Sequence, residues 1–166
     1  MGGSGRRKTR RGLDVEVIVK SPLWREQPRA ELWVRNALAT TAEHVAVPRG
    51  EVAVVLADDS AVRELNRKWR RIDAPTNVLS FPSKPAGAGP LFGDIVIAYE
   101  TTLREAEEDR QPFDHHLAHL AVHGFLHLLG HDHASDAEAE TMEQLESMIL
   151  ADLGVPDPYI RCECET

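Results

Sequence analysis

Leu13, Val15, Val17 and Val19 alternate with Asp14, Glu16 and Lys20, the period-two pattern of a half-buried strand. Beyond Pro28 the period changes. Ala30, Trp33, Val34, Ala37 and Leu38 recur at helical spacing, predicting an amphipathic helix with Trp33 in the core. Glu51 to Ala57 reads as a buried strand, and Asp58-Asp59-Ser60 supplies a cap for a helix through Val62, Leu65 and Trp69 that ends before Pro75.

Asn77 to Phe81 and Phe92 to Ala98 read as strands separated by the Pro- and Gly-rich loop SKPAGAGP. Helices follow near Thr102 to Asp109, from about Phe113 to Leu129, and from roughly Ala137 to Leu153. The last carries Met142, Leu145, Met148, Ile149 and Leu153 as a packing stripe. Four strands mixed with four or five helices, without repeats or regular alternation, predict an α+β domain with a mixed sheet of about four strands.

At 166 residues the chain suits one domain burying roughly two-thirds of its unfolded surface. Residues 1–12 read as a disordered basic tail, 13–160 as the domain and 161–166 as a C-terminal tail. No signal peptide or membrane span is apparent, so a cytoplasmic protein with no membrane association is expected. Cys162 and Cys164 give no disulfide framework, and no function is assigned to them.

A net charge of −8 is unfavourable for binding a polyanion, yet its distribution is uneven. Arg63, Arg67, Lys68, Arg70 and Arg71 fall within nine residues, whereas the stretch from Asp132 onward is heavily acidic. A local basic surface is compatible with this pattern, as is an ordinary solvated helix face.

The chemistry concentrates in His123-Gly124-Phe125-Leu126-His127-Leu128-Leu129-Gly130-His131-Asp132-His133. Histidines four apart project from one helix face and reach a common cation. Gly130 can take the left-handed conformation that ends the helix, allowing His133 to return as a third ligand. The spacing is that of the metzincin protease motif, H-E-x-x-H-x-x-G-x-x-H, with Gly124 where the general-base Glu belongs. Three neutral imidazoles leave one position of a tetrahedral zinc open to water, whose pKa the metal can lower to about 7. A zincin-like catalytic site with one Zn2+ per chain is therefore expected on a central helix and the turn after it. His119, as a fourth ligand or a group supporting one, and His131 remain secondary candidates, and Asp132 either orients an imidazole or, more in keeping with its position, caps the turn.

HGFLHLLGHDH resembles the signature of the YbeY family, with His131 where that family usually has Tyr. The resemblance extends through Leu65-Asn66 to Arg70, Thr76-Asn77-Val78-Leu79-Ser80-Phe81-Pro82, Gly93-Asp94-Ile95, Met142-Glu143-Gln144-Leu145-Glu146, Leu153-Gly154 and Asp157-Pro158-Tyr159. It implies a single-strand-specific endoribonuclease of ribosomal RNA processing, at the 3′ end of the small-subunit RNA, and of ribosome quality control. Single-stranded RNA, small-subunit rRNA and ribosomal or assembly proteins are the implied partners.

It also assigns Arg70 to the metal cleft, where a guanidinium can hold a phosphate bidentately and offset charge on its oxygens. His123, His127 and His133 with Arg70 form the expected catalytic set, and Arg67, Lys68, Arg70 and Arg71 the RNA-binding set. Asn77 and Ser80 are read as structural more than RNA-binding, and Asp94 is not assigned to catalysis. Attack by metal-activated water or by the RNA's own 2′-hydroxyl would both suit the site. Two other functions fit the residues: a zinc metallopeptidase-like hydrolase, and a non-catalytic ribosome assembly factor with a structural metal.

Overall fold

The computed structural model describes residues 4–8, 12–47, 49–83, 91–132 and 134–159. Five strands, β1 (Ser4–Lys8), β2 (Leu13–Val19), β3 (Gly50–Ala57), β4 (Val78–Pro82) and β5 (Leu91–Ala98), form one sheet in the order β1-β2-β3-β5-β4. β2, β3 and β5 are mutually parallel, while β1 and β4 run antiparallel at the two edges, so the sheet is mixed as expected.

The N-terminal segment departs from the expectation of a disordered tail, because Ser4–Lys8 pairs with Ile18–Asp14. A strand edge carries unpaired N–H and C=O groups that any backbone can satisfy, so pairing there needs no hydrophobic alternation. The tail from 161 onward, with Cys162 and Cys164, lies outside the described residues.

Among the described residues five α-helices accompany the sheet: α1 (Ala30–His44), α2 (Asp59–Arg70), α3 (Tyr99–Glu108), α4 (Phe113–Leu128) and α5 (Asp136–Asp152). The main core is built where α1 and α4 meet one sheet face and α5 packs on those two helices, with Val15, Val17, Val52, Val54, Ile95 and Ile97 in one cluster with Val34, Leu38, Leu117, Phe125 and Ile149. A 3-10 turn over Pro22–Glu26 inserts Trp24, whose indole N–H donates to the Ala57 carbonyl at 2.8 Å. On the opposite face, α2 covers a smaller cluster of Ala57, Val62, Leu79, Val96 and Ala98.

Three residues read as packing sit differently. Trp33 is only partly buried against the core. Trp69 is 63% exposed and Met148 56%, because each falls on the outer flank of its helix. Helical period alone places such flank positions ambiguously.

Candidate metal centre and cleft

α4 is the central helix and is buried over most of its circumference. His119, His123 and His127 form a half-buried stripe along it, four residues apart, as the 3.6-residue repeat requires. The helix ends through backbone bonds from Gly130 N–H to the His127 carbonyl and from His131 N–H to the Leu126 carbonyl. Gly130 has φ +97, the left-handed conformation expected at that turn. His133 lies outside the described residues.

The Nε2 atoms of His123 and His127 are 3.0 Å apart. Two nitrogens each about 2.0–2.1 Å from one tetrahedral zinc stand roughly 3.3 Å apart, so the pair fits a shared cation with little rearrangement. Among the described residues no group of three or more His, Cys, Asp or Glu gathers around one point.

Behind His123 stands Glu146 of α5, which is 0% exposed. Its Oε1 accepts from His123 Nδ1 at 2.5 Å, and its Oε2 accepts from the Tyr159 hydroxyl and lies 3.5 Å from His119 Nε2. Burial by itself would raise this carboxyl's pKa, but the bonds from His119, His123 and Tyr159 outweigh it and hold the group at about 2. An ionised Glu146 keeps the proton of His123 on Nδ1, leaving the Nε2 lone pair for the shared site.

Sequence reasoning missed Glu146 as a functional residue, although a signal existed. It occupies the core-facing stripe between Met142 and Ile149, where a charge has no place unless it is paired. His119, open in the sequence as a further ligand or as a residue supporting one, contacts the Tyr159 hydroxyl at 3.2 Å.

The facing wall comes from the end of α2 and from β4. A cleft of about 650 Å³ is bounded by Arg70, Thr76 and Ser80 on one side and His123, His127 and His131 on the other. Arg70 is the last residue of α2, followed by Arg71 in the left-handed conformation at φ 59. Asn66, buried on α2, donates from Nδ2 to the Ala74 carbonyl at 2.9 Å and pins the loop that carries Thr76. It too was overlooked as a positioning residue.

The structure brings Arg70 to the cleft with the histidines. Arg67, Lys68 and Arg71 are exposed on and just beyond α2 but do not line it. Arg67 is paired with Glu64, and Lys68 holds its ammonium 5.1 Å above the Trp69 ring.

Ser80 donates to the Gly124 carbonyl at 2.9 Å, tying β4 to α4. Asn77 donates to Glu105 at 3.0 Å and accepts from the Val78 N–H at 2.7 Å. Both side chains thus have structural work, as read from the sequence. Asp94 lies on β5, and its side chain is absent from the cleft lining.

One helix thus presents an imidazole pair with a buried carboxylate behind it and an arginine across a cleft. The family model described as "Endoribonuclease YbeY" matches residues 20–154, and the chain belongs to that family of hydrolases. It is 57% identical to the "Endoribonuclease YbeY" of a Bradyrhizobium species over 154 residues, covering 87% of this chain and 91% of that protein. Its identity to the protein of the same name from Rhodopseudomonas palustris strain BisA53 is 53%, over 87% and 89% of the two chains. In fold it is similar to the solution structure of TM1509 from Thermotoga maritima, with a TM-score of 0.56 at 23% identity, covering 89% of this chain and 99% of that one.

Proposed function

We propose that the chain is a zinc-dependent endoribonuclease that cleaves single-stranded RNA. Its substrate is the ribosomal RNA of the small subunit, where it matures the 3′ end, and it serves ribosome quality control in the cytoplasm. Ribosomal subunits or assembly proteins deliver that RNA. The observation that carries this reading is the convergence of His123 and His127 opposite Arg70 across one cleft.

His123 and His127 would hold the metal, with His133 as the third ligand. When bound, zinc supplies a Lewis acid and a water of lowered pKa, about 7. Glu146 fixes the tautomer and ring orientation of His123. Arg70 binds the phosphate of the scissile bond and offsets the negative charge that grows on its oxygens. Arg67, Lys68 and Arg71 attract the flanking backbone, an effect that weakens as salt rises.

Among the described residues no helix is long and apolar enough to cross a membrane. A labelled single-stranded RNA, compared with the same sequence as a duplex, tests the substrate class. Cutting of the single strand alone is expected, and preferential cutting of the duplex would overturn it. Metal analysis of protein purified without added metal should return one zinc per chain.

A further inference from the structure

We propose that Tyr159 is a positioning residue for the metal centre, and that the chain after α5 folds back as a clasp setting His123 through Glu146. The proposal rests on the reading of His123 as a metal ligand.

The connections are continuous. Asp157 Oδ1 accepts from Ser147 Oγ on α5 and from the Tyr159 backbone N–H, both at 2.9 Å. These bonds fix a short turn against the helix that carries Glu146. The turn directs the Tyr159 hydroxyl to Glu146 Oε2, while Glu146 Oε1 holds His123 Nδ1. His119 donates to the same hydroxyl at 3.2 Å and packs its ring edge-on to the Tyr159 ring, with centroids 5.6 Å apart.

A wholly buried carboxylate must be compensated by hydrogen bonds, because removing one donor leaves charge in a medium that solvates it poorly. Tyr159 supplies the donor on the oxygen that His123 does not use. Without it, Oε2 keeps only the longer His119 contact at 3.5 Å, so Glu146 turns toward His119 and the bond that keeps the His123 proton on Nδ1 is weakened. The hydroxyl itself is committed to Glu146, so Tyr159 acts through its neighbours and not on substrate. Burial and the adjacent carboxylate both push its pKa up, so it stays a proton donor across the working range.

The shape of the site agrees. Tyr159 stands between two recesses that flank His123, one of about 330 Å³ shared with Asn77, Glu105 and His116, the other of about 240 Å³ shared with Met142 and Glu143. The ring thus borders His123 on both of these recesses.

The test uses the full chain as Tyr159→Phe, which removes one oxygen and keeps the ring, and separately as Asp157→Ala, which releases the turn but leaves Tyr159 intact. In metal-free protein, nitrogen-15 NMR of the His123 ring should show a single protected Nδ1–H tautomer in the parent and a mixture of tautomers in both variants. Zinc affinity, read by chelator competition, should fall about 10- to 100-fold. In zinc-saturated enzyme, kcat for RNA should fall while KM changes less than about twofold. Variants with the parental His123 spectrum and zinc affinity would overturn the proposal. If the parent itself bound no zinc, the metal reading would fall, and the metal-free spectra would still decide whether Tyr159 sets His123.

Discussion

A Cβ placed on Gly124 would lie 2.9 Å from Ile95 Cγ2, closer than such atoms approach in folded proteins. The same Cβ would meet Ser80 Oγ at 3.2 Å and Val78 Cγ2 at 3.3 Å, so α4 reaches β4 and β5 through its glycine. The metzincin pattern calls for glutamate here, facing the metal. In this chain that position faces the sheet, and there is no space for the acid. Gly124 is thus a contact of the fold, and a protease-type general base cannot be restored by substitution at this position.

Gly124→Ala should therefore destabilise the protein by about 1–3 kcal/mol, as small-to-large changes in packed cores do. Chemical denaturation measures it. A midpoint equal to that of the parent protein would show that the helix and sheet are not in the contact described.

Arg70→Ala should lower kcat for RNA by about 10²- to 10³-fold, the scale for loss of one preorganised group that stabilises transition-state charge. Arg70→Lys should recover only part, since the ammonium keeps the charge but not the planar fork. Zinc affinity should be unchanged in both, because Arg70 stands across the cleft from the histidines. Equal loss of zinc would mean that Arg70 supports the ligands instead.

Asp94 offers a test remote from the cleft. Glu16 and Asp94 lie on the same row of the sheet, each in register with Ala53. Burial, and then the Glu16 charge, push the Asp94 carboxyl above its ordinary value. A carboxyl raised in the folded state binds its proton more tightly there than in the unfolded chain, so its ionisation costs stability as pH rises out of the acid range. Asp94→Asn should stabilise the fold at pH 7 by less than about 1 kcal/mol, given the exposure of the group, and the gain should vanish below the ordinary aspartate range. Melting temperatures of the two proteins at pH 7 and pH 3 decide it. A gain that persisted undiminished at pH 3 would exclude the electrostatic cause.

Much of this architecture was legible because β2 carries strict alternation, β3 and β5 are short apolar runs, and α4 carries its histidines at a fixed spacing. β2 and β3 appear where Val15, Val17, Val52 and Val54 predict them. The edge strand Ser4–Lys8 was not legible, since backbone pairing with β2 holds it and not a hydrophobic face. α3 begins at Tyr99 instead of near Thr102, because Tyr99 packs into the core beside Trp24, a tertiary contact that local sequence does not encode. At the site, the imidazole pair was readable from spacing, whereas Glu146 and Tyr159 were not. Their roles depend on α5 and the following turn packing against α4, which brings together residues 23 or more positions apart.

The central claim is that RNA is cut at the centre built on His123 and His127. Its most direct test is cleavage of a labelled single-stranded RNA by the purified protein beside His127→Ala prepared identically. The account predicts cutting by the first and near-complete loss in the second, at equal folded content by circular dichroism. Equal cutting by the two would contradict it and move the ribonuclease chemistry away from this site.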